Sequence, residues 1–239
     1  MCLICRNEPL EGLLVLNCSN CKEVESLPAL PEGLKKLECY GCTSLTNLPK
    51  LPESLDLLNC NGCIGLKTLP ELSEDLEFLY CIDCVNLEYL PDLKNTIALY
   101  CNGCTKLESL PNIENLESLD CINCNFRTLP EFGDQLQVLN CKNCVNLESI
   151  PELPVELFGL YCAGCTNLER IPKLPDGLET LDCRCCTKIE TFPKIPKKIT
   201  ILDCTECSGL KVIPNLVNRF GDQEYKNYGV YDNYETPSV

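Results

Sequence analysis

The stretch LKKLECYGCTSLTNLPKLP, Leu34 to Pro52, decides how the rest is read, because the chain is this segment written ten times. Paired cysteines recur at Cys18 and Cys21, Cys39 and Cys42, Cys60 and Cys63, Cys81 and Cys84, Cys101 and Cys104, Cys121 and Cys124, Cys141 and Cys144, Cys162 and Cys165, Cys183 and Cys186, and Cys204 and Cys207. Each step between pairs is 20 or 21 residues. A fixed period of this size marks a stacked solenoid, in which no unit buries its apolar side alone and each uses its neighbour to do so. One elongated domain over residues 13–216 follows, with residues 1–12 as N-terminal cap and 217–239 as C-terminal cap or tail.

Aligned on the first cysteine, the units begin at Leu13, Leu34, Leu55, Leu76, Thr96, Leu116, Leu136, Leu157, Leu178 and Ile199, and read L-x-x-L-x-C-x-x-C-x-x-L-x-x-L-P. The x-L-x-C-x portion alternates apolar and polar, which is strand periodicity with Leu and Cys inward. Two residues after the first cysteine stand Asn20, Gly41, Gly62, Asp83, Gly103, Asn123, Asn143 and Gly164, residue types that tolerate a left-handed turn. Cys185 occupies that position in the ninth unit as an extra thiol. The second half of each unit carries Leu-Pro or Ile-Pro steps such as Leu48-Pro49 and Ile171-Pro172, which predict an extended, polyproline-like return arm and no helix. The fourth and fifth units lose a residue after the proline, whereas the sixth loses one before it, at Cys124-Asn-Phe-Arg-Thr-Leu-Pro130.

These residues resemble leucine-rich repeats, whose L-x-x-L-x-L-x-x-N/C-x-L pattern is matched with Cys39 and its equivalents at the third Leu and Cys42 and its equivalents at the Asn/Cys position. The short period and the L-P-x-L-P arm are similar to the repeats of bacterial effectors of the IpaH and YopM type and of short-repeat giant-virus proteins. The resemblance implies a ten-repeat arc with a parallel sheet on its concave face and extended convex arms. At about 4.8 Å per strand, such a sheet is roughly 48 Å long. It implies no ligase activity, because nothing like a catalytic domain follows the repeats; the tail is polar, with Tyr225, Tyr228, Tyr231 and Tyr234 either packed on the last repeat or in a flexible segment.

The formal net charge of −15, with no basic run, disfavours nucleic acid and anionic membrane and leaves basic or neutral protein partners. The start has no cationic n-region, and no apolar run reaches the roughly 18 residues of a membrane span, so the expectation is a cytoplasmic protein, in the host cytoplasm or the virion if the source is viral.

The 23 cysteines admit three chemical readings. Consecutive pairs such as Cys18, Cys21, Cys39 and Cys42 have zinc-site spacing, yet strands about 4.8 Å apart would have to pinch together to put four sulfurs about 2.3 Å from one ion. Disulfides within pairs are sterically allowed where the turn brings the Cα atoms together. Buried thiols forming a structural ladder fit the inward register and the expectation of a reducing compartment, with no cofactor. The chain contains no histidine, which removes the usual base for a nucleophile, and ten C-x-x-C pairs in strands are not a thioredoxin arrangement, so no enzymatic activity is expected.

Strand neighbours of the inward residues face outward and form two lanes. One holds Tyr80, Tyr100, Asp120, Tyr161 and Asp182; the other holds Leu57 and Phe78. Tyrosine and carboxylate on a rigid sheet suit a polar or basic protein segment. These seven residues are the expected partner-binding surface of a non-catalytic protein–protein interaction module. The alternative is a structural component of a particle or assembly, with disulfide-linked or metal-bound cysteine pairs.

Overall fold

In the computed structural model, residues 2–211 are described. The tyrosines of the tail and the Ile213-Pro214 step lie outside the described residues. Ten three-residue strands run in chain order: β1 (Val15–Asn17), β2 (Lys36–Glu38), β3 (Leu57–Asn59), β4 (Phe78–Tyr80), β5 (Ala98–Tyr100), β6 (Ser118–Asp120), β7 (Val138–Asn140), β8 (Gly159–Tyr161), β9 (Thr180–Asp182) and β10 (Ile201–Asp203). They form one parallel sheet in the order β1 to β10, each strand paired only with its sequence neighbours. Register follows the repeat without slippage, as in Lys36 opposite Leu57 and Ala98 opposite Ser118. The central leucine of β2 to β9 is fully buried, and the residues on either side of it face outward.

The strands are short because the ladder changes character at both ends. Before each of β1 to β9 one carbonyl takes two donors: Lys35 O accepts the N–H groups of Asp56 and Leu57, at 2.9 and 3.2 Å. After it, Cys39 still donates to Asn59 O at 2.8 Å, and Gly41 donates to Asn61 O at 2.6 Å. Between those two bonds the chain turns. All ten positions two residues after the first cysteine have positive φ, from 56° at Asp83 to 74° at Gly164, and include Cys185 at 58° and Glu206 at 61°. Gly103 shows why glycine recurs there. Its φ is +71°, and a Cβ would run into Asp83 Oδ1 of the preceding unit.

Prolines keep the return arms out of helical geometry, and no helix occurs among the described residues. The leucines of the arms close the core from the other side; Leu45, Leu66, Leu87, Leu107, Leu147 and Leu168 are fully buried. In the shortened sixth unit the equivalent residue arrives one position early and is Phe126, also fully buried. A larger ring thus fills the space that the missing residue would leave open.

Cysteines line the strand side of this core. All first cysteines from Cys18 to Cys183 are buried, while Cys204 in the terminal unit is half-buried. Each second cysteine from Cys42 to Cys207 donates its S–H to the carbonyl oxygen of the first cysteine in the unit before it, at 3.0 to 3.1 Å. The next unit's thiol and burial together hold Cys60, Cys81 and Cys101 well above the usual thiol range, so these groups stay protonated.

Candidate functional site

The outward face of the sheet gathers the chemically varied residues. Tyr80 and Tyr100 are opposite one another in the β4–β5 register, and their rings stack with centroids 4.7 Å apart and planes 2° from parallel. Parallel strands bring equivalent side chains to about this separation, so two tyrosines in one lane meet face to face. Ala98, beside Phe78 in the neighbouring lane, is almost wholly buried. Leu57 and Phe78 are direct cross-strand partners. Together with the tyrosine pair they make an apolar platform over β3 to β5.

The lane continues from Tyr100 to Asp120, Asn140, Tyr161 and Asp182. Burial pushes the Asp120 carboxyl up to about 6, against the opposing effects of Asn102, Lys142 and the Ile122 N–H. Asn102 is fixed in turn, its Oδ1 accepting the Ile122 N–H at 2.7 Å. Asp120 Oδ1 and Asn140 Oδ1 are both buried without a donor within the protein. Two adjacent strands therefore hold unmatched acceptors, shielded from solvent, close to the stacked tyrosines.

Farther along, the charges are neutralised internally. Asp182 is 7% exposed and receives Arg184 through Nε at 2.9 Å and the second nitrogen at 3.0 Å, with Lys142 Nζ 3.1 Å away. Burial would raise the Asp182 carboxyl, but Arg184 and Lys142 overcome this and hold it below its ordinary value. The Lys142 ammonium also lies 5.1 Å from the Tyr161 ring centroid, a cation–π contact.

Of the seven residues expected from the sequence, Leu57, Phe78, Tyr80, Tyr100 and Asp120 form one contiguous patch across β3 to β6. Tyr161 and Asp182 lie beyond Asn140, in a second group organised by Lys142 and Arg184. Asn102, Lys142 and Arg184 belong to the lane immediately after the first cysteine, and reading the x-L-x-C-x alternation one residue further would have found them. Asn140 stood in the lane already read, without a chemical signal of its own.

Comparison with protein-family models finds no match, and none of the curated proteins matches. Solved structures do. YopM, a leucine-rich effector protein from Yersinia pestis, superposes with a TM-score of 0.59 at 28% identity, over 85% of this chain and 62% of that one. YopM from Yersinia enterocolitica gives 0.58 at 28% identity, over 85% of this chain and 48% of that one. A leucine-rich repeat protein from Bacteroides ovatus, at 21% identity and a TM-score of 0.50 over 78% of this chain and 60% of that one, shares the fold. The chain thus spans less than two thirds of each of these proteins. The repeat pattern, the ten-strand parallel sheet and these superpositions agree that the chain has the leucine-rich repeat fold, built from short 20- and 21-residue units.

Proposed function

We propose that the chain is a non-catalytic interaction module that docks a basic, donor-rich segment of another protein on the concave face, centred on Phe78, Tyr80, Tyr100 and Asp120. The observation that carries this is the juxtaposition of the stacked Tyr80–Tyr100 pair with the unmatched oxygens of Asp120 and Asn140. Both oxygens are shielded in the free chain, where an acceptor without a donor costs about 1–3 kcal/mol; a side-chain shift that admits a partner's ammonium, guanidinium or amide group would offset that cost on binding. The tyrosine rings supply the rigid apolar contact that anchors interfaces. An overall charge of −15 favours approach of a basic partner. Repeat solenoids use their extended concave surfaces in this way.

The test is affinity capture with the wild-type chain and the Phe78→Ala/Tyr80→Ala/Tyr100→Ala variant, the bound proteins being identified by mass spectrometry. Loss of a specific basic partner with an unchanged circular dichroism spectrum supports the site. Capture that is equal in both places docking elsewhere on the molecule.

A further inference from the structure

We infer that Cys2, Cys5 and Cys21 form a zinc site that ties the N-terminal cap to the first repeat. The ladder explains why this end is different. From Cys42 onward each second cysteine finds a carbonyl in the unit before it, but among the described residues Cys21 has no repeat unit before it to supply one. In that place the cap brings two further thiols. Residues 2–8 form a tight turn in which the Arg6 N–H lies 3.2 Å from both the Cys2 and Leu3 carbonyls and the Asn7 N–H donates to Ile4 O at 3.0 Å. This turn delivers Cys5 Sγ to 3.2 Å from Cys21 Sγ and Cys2 Sγ to 3.7 Å from Cys5 Sγ.

The three sulfurs lie within 4.8 Å of one another. Tetrahedral zinc with Zn–S bonds of about 2.3 Å requires S···S edges of about 3.8 Å, so the triangle needs only small adjustment. Every repeat contains the same C-x2-C spacing, yet among the described residues no other group of three metal-binding side chains converges. The ladder accounts for that, because it turns the second thiol of each later unit toward a backbone oxygen. Cys2, Cys5 and Cys21 are all half-buried, which leaves a route for the ion and a fourth position for water. Binding replaces three S–H bonds with three S–Zn bonds and releases three protons to solvent, with no change of oxidation state. A terminal unit of a solenoid needs its apolar end covered, and a metal that binds only the folded cap adds its binding free energy to that end.

The full-length chain, expressed with zinc and purified under reducing conditions, is expected to carry one zinc per molecule by elemental analysis. Cys2→Ser, Cys5→Ser and Cys21→Ser should each lose it, whereas Cys185→Ser and Cys104→Ser should keep it. Replacing zinc with cobalt in the wild type should give the visible bands of tetrahedral cobalt and sulfur-to-cobalt charge transfer, a readout that stands even if Cys21→Ser folds poorly. Wild-type metal content no higher than that of Cys2→Ser overturns the site, as does zinc shared equally by all five variants. A Cys5–Cys21 disulfide in protein purified without reductant and resistant to zinc loading after mild reduction also overturns it.

Discussion

Cys104 donates its S–H to the carbonyl oxygen of Cys81 at 3.0 Å, joining residues 23 apart in the chain and tying one unit to the next. Cys101, three residues earlier, is equally buried but faces apolar neighbours and the thiol of the following unit. The two cysteines should therefore respond differently to the same substitution. Cys101→Val keeps volume and apolarity and is expected to cost less than about 1.5 kcal/mol. Cys104→Val removes one of the two donors on the Cys81 carbonyl, which keeps the Cys84 N–H at 3.2 Å, and should cost about 0.5–1.5 kcal/mol more than Cys101→Val, with Cys104→Ser between the two because a hydroxyl can still donate. Urea midpoints followed by circular dichroism check the order.

Thr96 begins the fifth unit where eight others have leucine, and it is 1% exposed with its hydroxyl unpartnered. Ser73, also buried, donates to Leu55 O at 2.6 Å and so avoids the same cost. Thr96→Val removes the unmatched hydroxyl while keeping the shape, and should raise stability by about 1 kcal/mol. A lower thermal midpoint for the variant would show that the hydroxyl is satisfied in solution.

The sequence carried the inward register of Leu37 and Cys39, because alternation over five residues has one strand solution with a buried side. It carried the turn too, since asparagine, aspartate and glycine at one position in successive units share only their tolerance of positive φ. Strand length was not legible, because it depends on Lys35 O accepting two donors from the following unit. Nor was the target of each second thiol, which is set by the offset between stacked units. The patch from Leu57 to Asp120 could be read by lane, but the capture of Asp182 by Lys142 and Arg184 involves side chains crossing between lanes and strands. Cys2 and Cys5 were visible as residues but had no repeat equivalents from which to infer a partner.

Asp120 gives the outward face a pH dependence, with opposite signs for stability and for the proposed recognition. Its folded value of about 6 lies above the unfolded value near 3.8. The contribution to stability is thus fully present below the unfolded value and is lost as pH rises through about 6. Relative to Asp120→Asn, the wild type should lose stability between pH 4 and 7, by no more than about 3 kcal/mol. Capture of a basic partner should run the other way, weakening as the carboxylate is neutralised below pH 6. Parallel denaturation and binding series for the two proteins separate the effects, and identical pH profiles would remove Asp120 from both.

The thiols divide by exposure, and alkylation reads that division directly. Eighteen cysteines are buried, whereas Cys2, Cys5, Cys21, Cys185 and Cys204 are half-exposed. Cys185 lies in the turn with its sulfur 3.2 Å from Glu206 Oε2, and that contact is the main reason its thiol is held above the ordinary range. Brief treatment of the native, reduced chain with iodoacetamide should label no more than these five, Cys185 slowly because little thiolate is present. Glu206→Gln should speed labelling at Cys185 and leave Cys204 unchanged. The buried eighteen should react only in denaturant, together and with the loss of the circular dichroism signal, because a stacked core opens them as the units separate. Rapid native labelling of Cys81 or Cys101 by mass spectrometry would contradict a closed thiol core.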